Sequence, residues 1–235
     1  MNAKTKMHYV QANTLRALQH ATRARYGELR KISGLESDLF KYHIRRLVDV
    51  GYIFKASDGL YELTAEGKAF AGRLDRDSRY QIEQPKSSML MIASCIQSGT
   101  TYILAHQRKR EPFYDFWGIA SAPVLRGVTL PESARREFLK QTGIDTVFTV
   151  GGMYRVIDTN KKGDVLEDKI FALMSADTPS LVEPIEWPGG VSEWMPIDEL
   201  LSKAKLFPTT ASMLELKAAG GGFREDICVY EDNDY

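Results

Sequence analysis

Apolar residues recur at helical spacing in the first fifty positions and at strand spacing soon afterwards. Val10, Leu15, Leu18 and Ala21 predict a helix over residues 9–21, and Leu29 with Ile32 marks a second over 26–32. After Ser33-Gly34 a third helix is expected from near Ser37 to Val50, with Gly51 suited to its C-terminal cap. Phe40, His43, Ile44 and Leu47 form its packing stripe, while Lys41, Tyr42, Arg45 and Arg46 project elsewhere. Residues 52–55 and 60–63 then read as strands around Asp58-Gly59, a hairpin signal, and Thr64 can cap a fourth helix running to about Asp75. The periodicity lapses between about Arg76 and Ser88. This assigns 1–80 to a first domain, 81–87 to a linker and 88–235 to a second domain.

The second domain opens with apolar, β-prone runs over 89–96 and 101–105, flanking the turn Gln97-Ser98-Gly99-Thr100. A helix follows the glycine at 127. Its expected start is Thr129 as N-cap in a capping box with Glu132, with Pro131 in the first turn, and Gly143 follows its end. Ala134, Phe138 and Leu139 form the expected core stripe. Near the end, Gly220-Gly221-Gly222 reads as a flexible joint and the acidic tail to Tyr235 as an exposed strand or a partner-contacting end.

Composition narrows the class. The chain has 235 residues, 43% of them hydrophobic, with 31 Lys+Arg against 31 Asp+Glu, which fits one or two ordinary globular domains and excludes disorder. No run approaches the ~18 apolar residues of a membrane helix, and no apolar segment stands behind the N-terminal charges, so no membrane partner and a cytoplasmic location are expected. Cys95 and Cys228 stand far apart outside any metal-binding spacing and are expected as buried, reduced thiols. The balanced charge hides a division: residues 1–80 carry 15 Lys+Arg and 9 Asp+Glu, a net of +6, and the remainder carries −6. A basic first third suggests a polyanionic partner.

The stretches Leu39-Phe-Lys-Tyr-His-Ile-Arg-Arg-Leu47, Gly51-Tyr-Ile and Asp58-Gly-Leu-Tyr-Glu-Leu-Thr-Ala-Glu-Gly67 resemble prokaryotic winged helix-turn-helix transcriptional regulators over nearly all of residues 9–75. The resemblance implies binding of double-stranded DNA, with Lys41, Tyr42, Arg45 and Arg46 at the major groove and Arg30, Lys31 and Lys55 on phosphates. The alternative is a protein-contacting module whose basic residues are a solvated face. His43, on the apolar side, is expected to pack in the core.

Residues Arg136-Glu-Phe-Leu-Lys-Gln-Thr-Gly-Ile144, with Trp117 and the loop from Gly118 to Gly127, resemble the signature of Nudix hydrolases, and Val191-Ser-Glu-Trp-Met-Pro-Ile-Asp-Glu-Leu200 resembles the approach to their last helix. The resemblance covers most of residues 88–215. It implies an α/β/α sandwich with a mixed sheet, so that the whole chain is a two-domain α+β protein. The departures matter more. Aligned on Arg136-Glu137, the opening glycine of the signature falls at Ala122, its first glutamate at Val128, and its paired glutamates at Lys140 and Gln141. Only Glu137 remains of the motif's carboxylates.

Magnesium is a hard cation that takes oxygen ligands, and a helix face offering one carboxylate, one amide and one ammonium is poorly suited to it. No catalytic residue, metal or cofactor is therefore expected. Lys140 reads in two ways: as a fixed cation meeting an anionic ligand, or as a solvated helix residue. In the first case Lys140→Glu should weaken a phosphorylated ligand by about 1 kcal/mol or more. The other candidate ligand contacts are Arg108, Arg110, Phe113, Trp117, Arg136 and Glu137, with Lys109 beside them. Trp117 and Trp194 can stack on a base or pack in the core, and Asp198-Glu199 suits a cap of the last helix better than a catalytic base.

Together the two halves resemble Nudix-related transcription regulators with the domain order reversed. This implies a homodimer, associating through the first and fourth helices, that binds DNA and senses a small effector in a degenerate active site, with ADP-ribose the first expectation and a sugar or sugar phosphate the second. The competing reading is an active Nudix hydrolase with an accessory winged helix, using Mg²⁺ held by Glu137 and by carboxylates outside the motif such as Glu111, Asp115 or Glu193. A third reading is a protein-interaction adaptor.

Overall fold

A computed structural model describes residues 7–74, 84–231 and 234–235. The expected continuation of the fourth helix to Asp75 and residues 81–83 of the expected linker lie outside the described residues. The chain divides between Glu83 and Gln84 into two compact units.

The first unit runs α1 (Tyr9–Ala21), β1 (Arg23–Ala24), α2 (Tyr26–Ser33), α3 (Ser37–Asp49), β2 (Ile53–Lys55), β3 (Tyr61–Leu63) and α4 (Ala65–Ala71). The expected hairpin forms, and β1 adds to it in the antiparallel order β1-β3-β2. Burial follows most of the stripes read from the sequence: Val10, Leu15 and Leu18 of α1 meet Leu29 of α2 and Phe40, Ile44 and Leu47 of α3, whereas Ala21 and Ile32, at the ends of their helices, are exposed. His43 is buried as expected, stacked on His8 at 4.1 Å, and burial with the nearby His8 lowers its pKa. Thr64 caps α4 by accepting from the Gly67 amide at 2.9 Å, a contact of the kind that contributes about 1 kcal/mol. Gly67 is required there, because a Cβ would lie 1.8 Å from the Tyr52 carbonyl oxygen. The helix ends at Ala71, earlier than expected, as the Arg73 and Leu74 amides close short turns onto the carbonyls of Phe70 and Ala71.

The second unit contains β4 (Lys86–Gln97), β5 (Thr100–Arg108), β6 (Trp117–Ile119), β7 (Ser121–Pro123), α5 (Leu130–Thr142), β8 (Thr149–Asn160), β9 (Val165–Asp177), β10 (Gly190–Pro196), α6 (Ile197–Leu201), α7 (Thr210–Ala218) and β11 (Phe223–Tyr230). β4 takes Lys86 and Ser87 from the expected linker, because both pair in register with β9. The strands form one mixed sheet, ordered β10-β5-β4-β9-β8-β11, with β6 on β5 and β7 on β4. β4 lies parallel to β9 and β11 parallel to β8; the other neighbours are antiparallel.

Alternation along β4 sends its side chains to two faces. Met89, Met91 and Ala93 pack under Ala134 and Phe138 of α5, whereas Leu90 and Ile92 join the cluster that holds Met213 and Leu214 of α7. Helices on both faces of a mixed sheet make the layered α/β architecture.

Four local expectations need correction. Thr129 begins α5 without a side-chain cap, and the Glu132 carboxylate that would complete the capping box is held instead by Arg136 at 2.6 Å and lies 3.7 Å from Arg135. Leu139 is 40% exposed, so the core stripe of α5 is Ala134, Phe138 and the polar Ser133, Gln141 and Thr142. Asp198 and Glu199 sit in the first turn of α6, which makes no side-chain cap bond, and α7 follows it. The three glycines at 220–222 form a close crossing: a Cβ on Gly221 would lie 2.4 Å from the Gly151 carbonyl oxygen, and one on Gly152 lies 2.7 Å from that of Gly222. Glycine is used there for approach of backbone to backbone.

Candidate functional site

Two places in the molecule gather chemistry. In the first unit, Arg30 and Lys31 on α2, Lys41, Tyr42, Arg45 and Arg46 on α3, and Lys55 on β2 are all exposed. The spacing of the α3 residues puts them on one helix face, opposite the buried Phe40, His43, Ile44 and Leu47. Among the described residues none of these Lys and Arg side chains makes an ion pair, although Lys55 stands 5.9 Å over the Tyr61 ring. Arg23 differs, being held by Asp58 at 2.9 Å and Glu62 at 2.8 Å. The basic face of α3 is therefore free to meet an anion.

In the second unit the helix with the degenerate motif makes no enclosed site. Lys140 is 64% exposed, and its ammonium lies 3.9 Å from the Glu137 carboxylate. Gln141 is 3% exposed and donates to the Ser121 carbonyl, so its amide serves structure. Arg136 points to Glu132. Among the described residues, no group of three or more His, Cys, Asp or Glu side chains is placed to hold a metal ion. A lysine beside the remaining carboxylate and a glutamine already bonded do not fit the magnesium set that the Nudix resemblance implies.

A partly open site lies on the other face of the sheet, against α7. It is a cavity of about 290 Å³. Arg108, Arg110 and Phe113 line it; Trp117, Arg136, Glu137 and Lys140 do not. Trp117 instead ties β6 to the following chain, donating its amide to the Lys205 carbonyl and accepting from the Phe207 amide, with the Lys203 ammonium 4.9 Å over its ring. The Trp194 indole donates to the Val182 carbonyl.

The loop after β5 places Phe113. Its φ of +66° and that of Asp115, +68°, lie in the left-handed region that side chains with a Cβ adopt at a cost. Burial of the Phe113 ring among Phe116, Phe207 and Tyr230 holds that geometry. Arg108 reinforces it by donating to the carbonyls of Arg110 and Pro112 at 3.0 and 2.5 Å.

Charge is concentrated on the cavity wall. Lys169 contacts Asp158 at 2.5 Å and Glu167 at 2.9 Å, and Lys86 contacts Glu167 at 2.5 Å. Burial works against the Lys169 ammonium, but Asp158 and Glu167 outweigh it and raise its pKa. Burial raises the Asp158 carboxyl above the usual range, with Lys169 opposing. His106 is pushed down to about 4 by burial and by the cations Arg108 and Arg110, so it is neutral at pH 7. Its Nδ1 lies 3.2 Å from the Ser192 hydroxyl oxygen. Arg110 lies 5.8 Å over the Trp187 ring, and the two give the wall an aromatic and cationic corner.

Sequence patterning passed over His106, Asp158, Lys169 and Trp187. A signal existed for Asp158: it follows the buried Tyr154 and Val156 at period two, which puts a carboxylate on an inward register.

No protein-family model matches the sequence, and no curated protein is significantly similar to it. Among solved structures, the Nudix domain of Shewanella oneidensis NrtR, in complex with ADP ribose, is similar over 67% of this chain and 97% of that domain, with 14% identity and a TM-score of 0.51. A mutator MutT protein from Bacillus halodurans is similar over 64% of this chain and 93% of its own, with 15% identity and a TM-score of 0.50. At these identities the likeness concerns the fold: the mixed sheet with its flanking helices is a Nudix-type fold. Among the described residues, no helix is long and apolar enough to cross a membrane.

Proposed function

We propose that this chain is a cytoplasmic, DNA-binding transcription regulator in which a Nudix-type fold serves recognition of a small anionic effector. The observation that carries the reading is the loss of the acidic set beside a cationic cavity: the motif helix offers Glu137 beside Lys140, while a partly open cavity with four Lys and Arg side chains lies on the α7 side and reaches the motif loop at Ala122. The first unit is read as a winged helix-turn-helix, with α2 and α3 as the helix pair and β2–β3 as the wing. Its unpaired basic α3 face suits the major groove, and Arg30, Lys31 and Lys55 suit phosphates. The chain acts as a twofold homodimer on paired half-sites.

ADP-ribose is the first effector to try, because the NrtR Nudix domain holds it on the same fold. Two carboxylates against four Lys and Arg side chains on the cavity wall favour an anion, and Trp187 offers a face for a ring.

Anisotropy of a fluorescent duplex titrated with the full chain tests the DNA reading. Affinity should fall steeply as salt rises from about 50 to 200 mM, and replacing both Arg45 and Arg46 with Ala should lower the log–log salt slope by about 2. Absence of salt-dependent binding would overturn it and favour a protein-interaction module.

A further inference from the structure

β11 is an edge of the large sheet: β8 pairs with one side of it, and among the described residues no strand pairs with the other. It runs in unbroken parallel register with β8, from Phe223 opposite Met153 to Tyr230 opposite Asn160. The Met153 amide donates to the Gly222 carbonyl, so alternation turns the amides and carbonyls of the even-numbered residues toward β8 and those of Phe223, Glu225, Ile227 and Val229 toward the open side. Edge strands are ordinarily blunted by a lysine, a proline or a bulge, and β11 carries none of these. Its odd-numbered side chains lie on the face that α5 covers elsewhere, because Phe223, Met153, Ala172 and Met89 stand in one row of partners. There Phe223, Ile227 and Val229 are 65%, 67% and 60% exposed, with Met153 half-exposed beside them. The one charged side chain among the four, Glu225, is held by Arg155 at 3.0 Å, and Arg155 lies 3.0 Å from Asp168 as well. Its charge is met within the face.

Resting on the reading of the chain as a twofold homodimer, we propose that its interface is this edge: β11 pairs antiparallel with β11 of a second copy, joining two sheets into one and covering Phe223, Ile227 and Val229. Charge selects a second copy and sets the register. With Ile227 on the twofold axis, Arg224 stands opposite Tyr230, Glu225 opposite Val229 and Asp226 opposite Cys228, so no charge meets a like charge. Centring on Arg224, Glu225 or Asp226 sets that charge against itself, and centring on Cys228 sets Glu225 against Glu231; like charges directly opposite destabilise a strand pair. A uniformly acidic or basic strand from another protein would meet a like charge at Asp226 or at Arg224. In the Ile227 register the outward amides and carbonyls of Glu225, Ile227 and Val229 all find counterparts, and the same patch serves both copies.

Sedimentation velocity of the full chain without DNA tests this. The wild type should sediment as a dimer, and Ile227→Lys, which sets two ammonium groups at the axis, should weaken that dimer at least about tenfold. Because Ile227 is exposed, the far-ultraviolet circular dichroism should stay unchanged. Independently, Ile227→Cys should join to its own copy through a short bismaleimide, while the wild type, whose Cys95 and Cys228 are buried, should not. If Ile227→Lys does not fold, the cross-link decides. A monomeric wild type, a dimer that Ile227→Lys leaves intact, or no cross-link in Ile227→Cys overturns the interface. Duplex titration of the same samples separates the two levels. A β11 dimer that binds no duplex keeps the interface and refutes the regulator; duplex binding by a dimer indifferent to Ile227→Lys keeps the regulator and refutes the interface.

Discussion

The two faces of the second unit's sheet are built from the same strands and put to opposite use. Against α5 the side chains are small or aliphatic: Met89, Met91, Ala93 and Ala134 close around Phe138 and Phe148. Against α7 the strands contribute Asp158, Lys169, His106 and Arg108, and a cavity remains. Charges are expensive to bury, so a fold keeps them inside where they pair with each other or with something that enters. A helix carrying a recognisable motif thus packs one face closed, while the opposite face of the same sheet keeps a cavity lined with charge.

Substitutions can break this contrast. Phe138→Ala should cost the most, about 3–5 kcal/mol in urea denaturation, because the ring is fully buried in the closed face. A loss below about 1 kcal/mol would show that the α5 face is loosely packed. On the other face, Lys169→Met should cost about 3 kcal/mol by leaving Asp158 and Glu167 without their shared cation. A neutral or stabilising result would mean that the pair is held for function alone.

The third prediction is a pH dependence. His106 titrates at about 4 in the folded chain, below its ordinary value of 6.5. Between these values the unfolded chain binds a proton that the folded chain refuses, so stability falls as pH drops from about 6.5 to 4. The full difference is of order 3 kcal/mol. Subtracting the stability curve of His106→Gln isolates it; parallel curves for the two proteins would contradict the buried, neutral imidazole.

The smallest effect belongs to Lys140→Glu. An exposed side chain 3.9 Å from Glu137 should change stability by less than about 0.5 kcal/mol. Calorimetry should likewise show no change in phosphate affinity at the cavity, which Lys140 does not line. A tenfold loss there would restore the anion-contacting role read from the sequence.

Much of the fold was legible because it rests on local periodicity. The stripe Phe40, Ile44 and Leu47 marked α3 and its basic reverse side, and Asp58-Gly59 marked the hairpin. The ends of α4 and β4 were not legible, because they depend on short turns and on the pairing of Lys86 with Lys169 of β9, 83 residues away. On the cavity lining, Arg108, Arg110 and Phe113 are legible as a charged segment after a strand. Asp158 and Lys169 are not legible because they meet only through the register of β8 and β9, and Trp187 lies in the irregular segment before β10. The motif drew attention to α5, and sequence spacing alone does not say which sheet face stays open.

The central claim is recognition in place of hydrolysis. The most direct measurement incubates the full chain with ADP-ribose and Mg²⁺ or Mn²⁺, quantifying released AMP by chromatography beside the Glu137→Gln variant. The account predicts release no greater than the variant gives. Metal-dependent turnover that Glu137→Gln abolishes would contradict it.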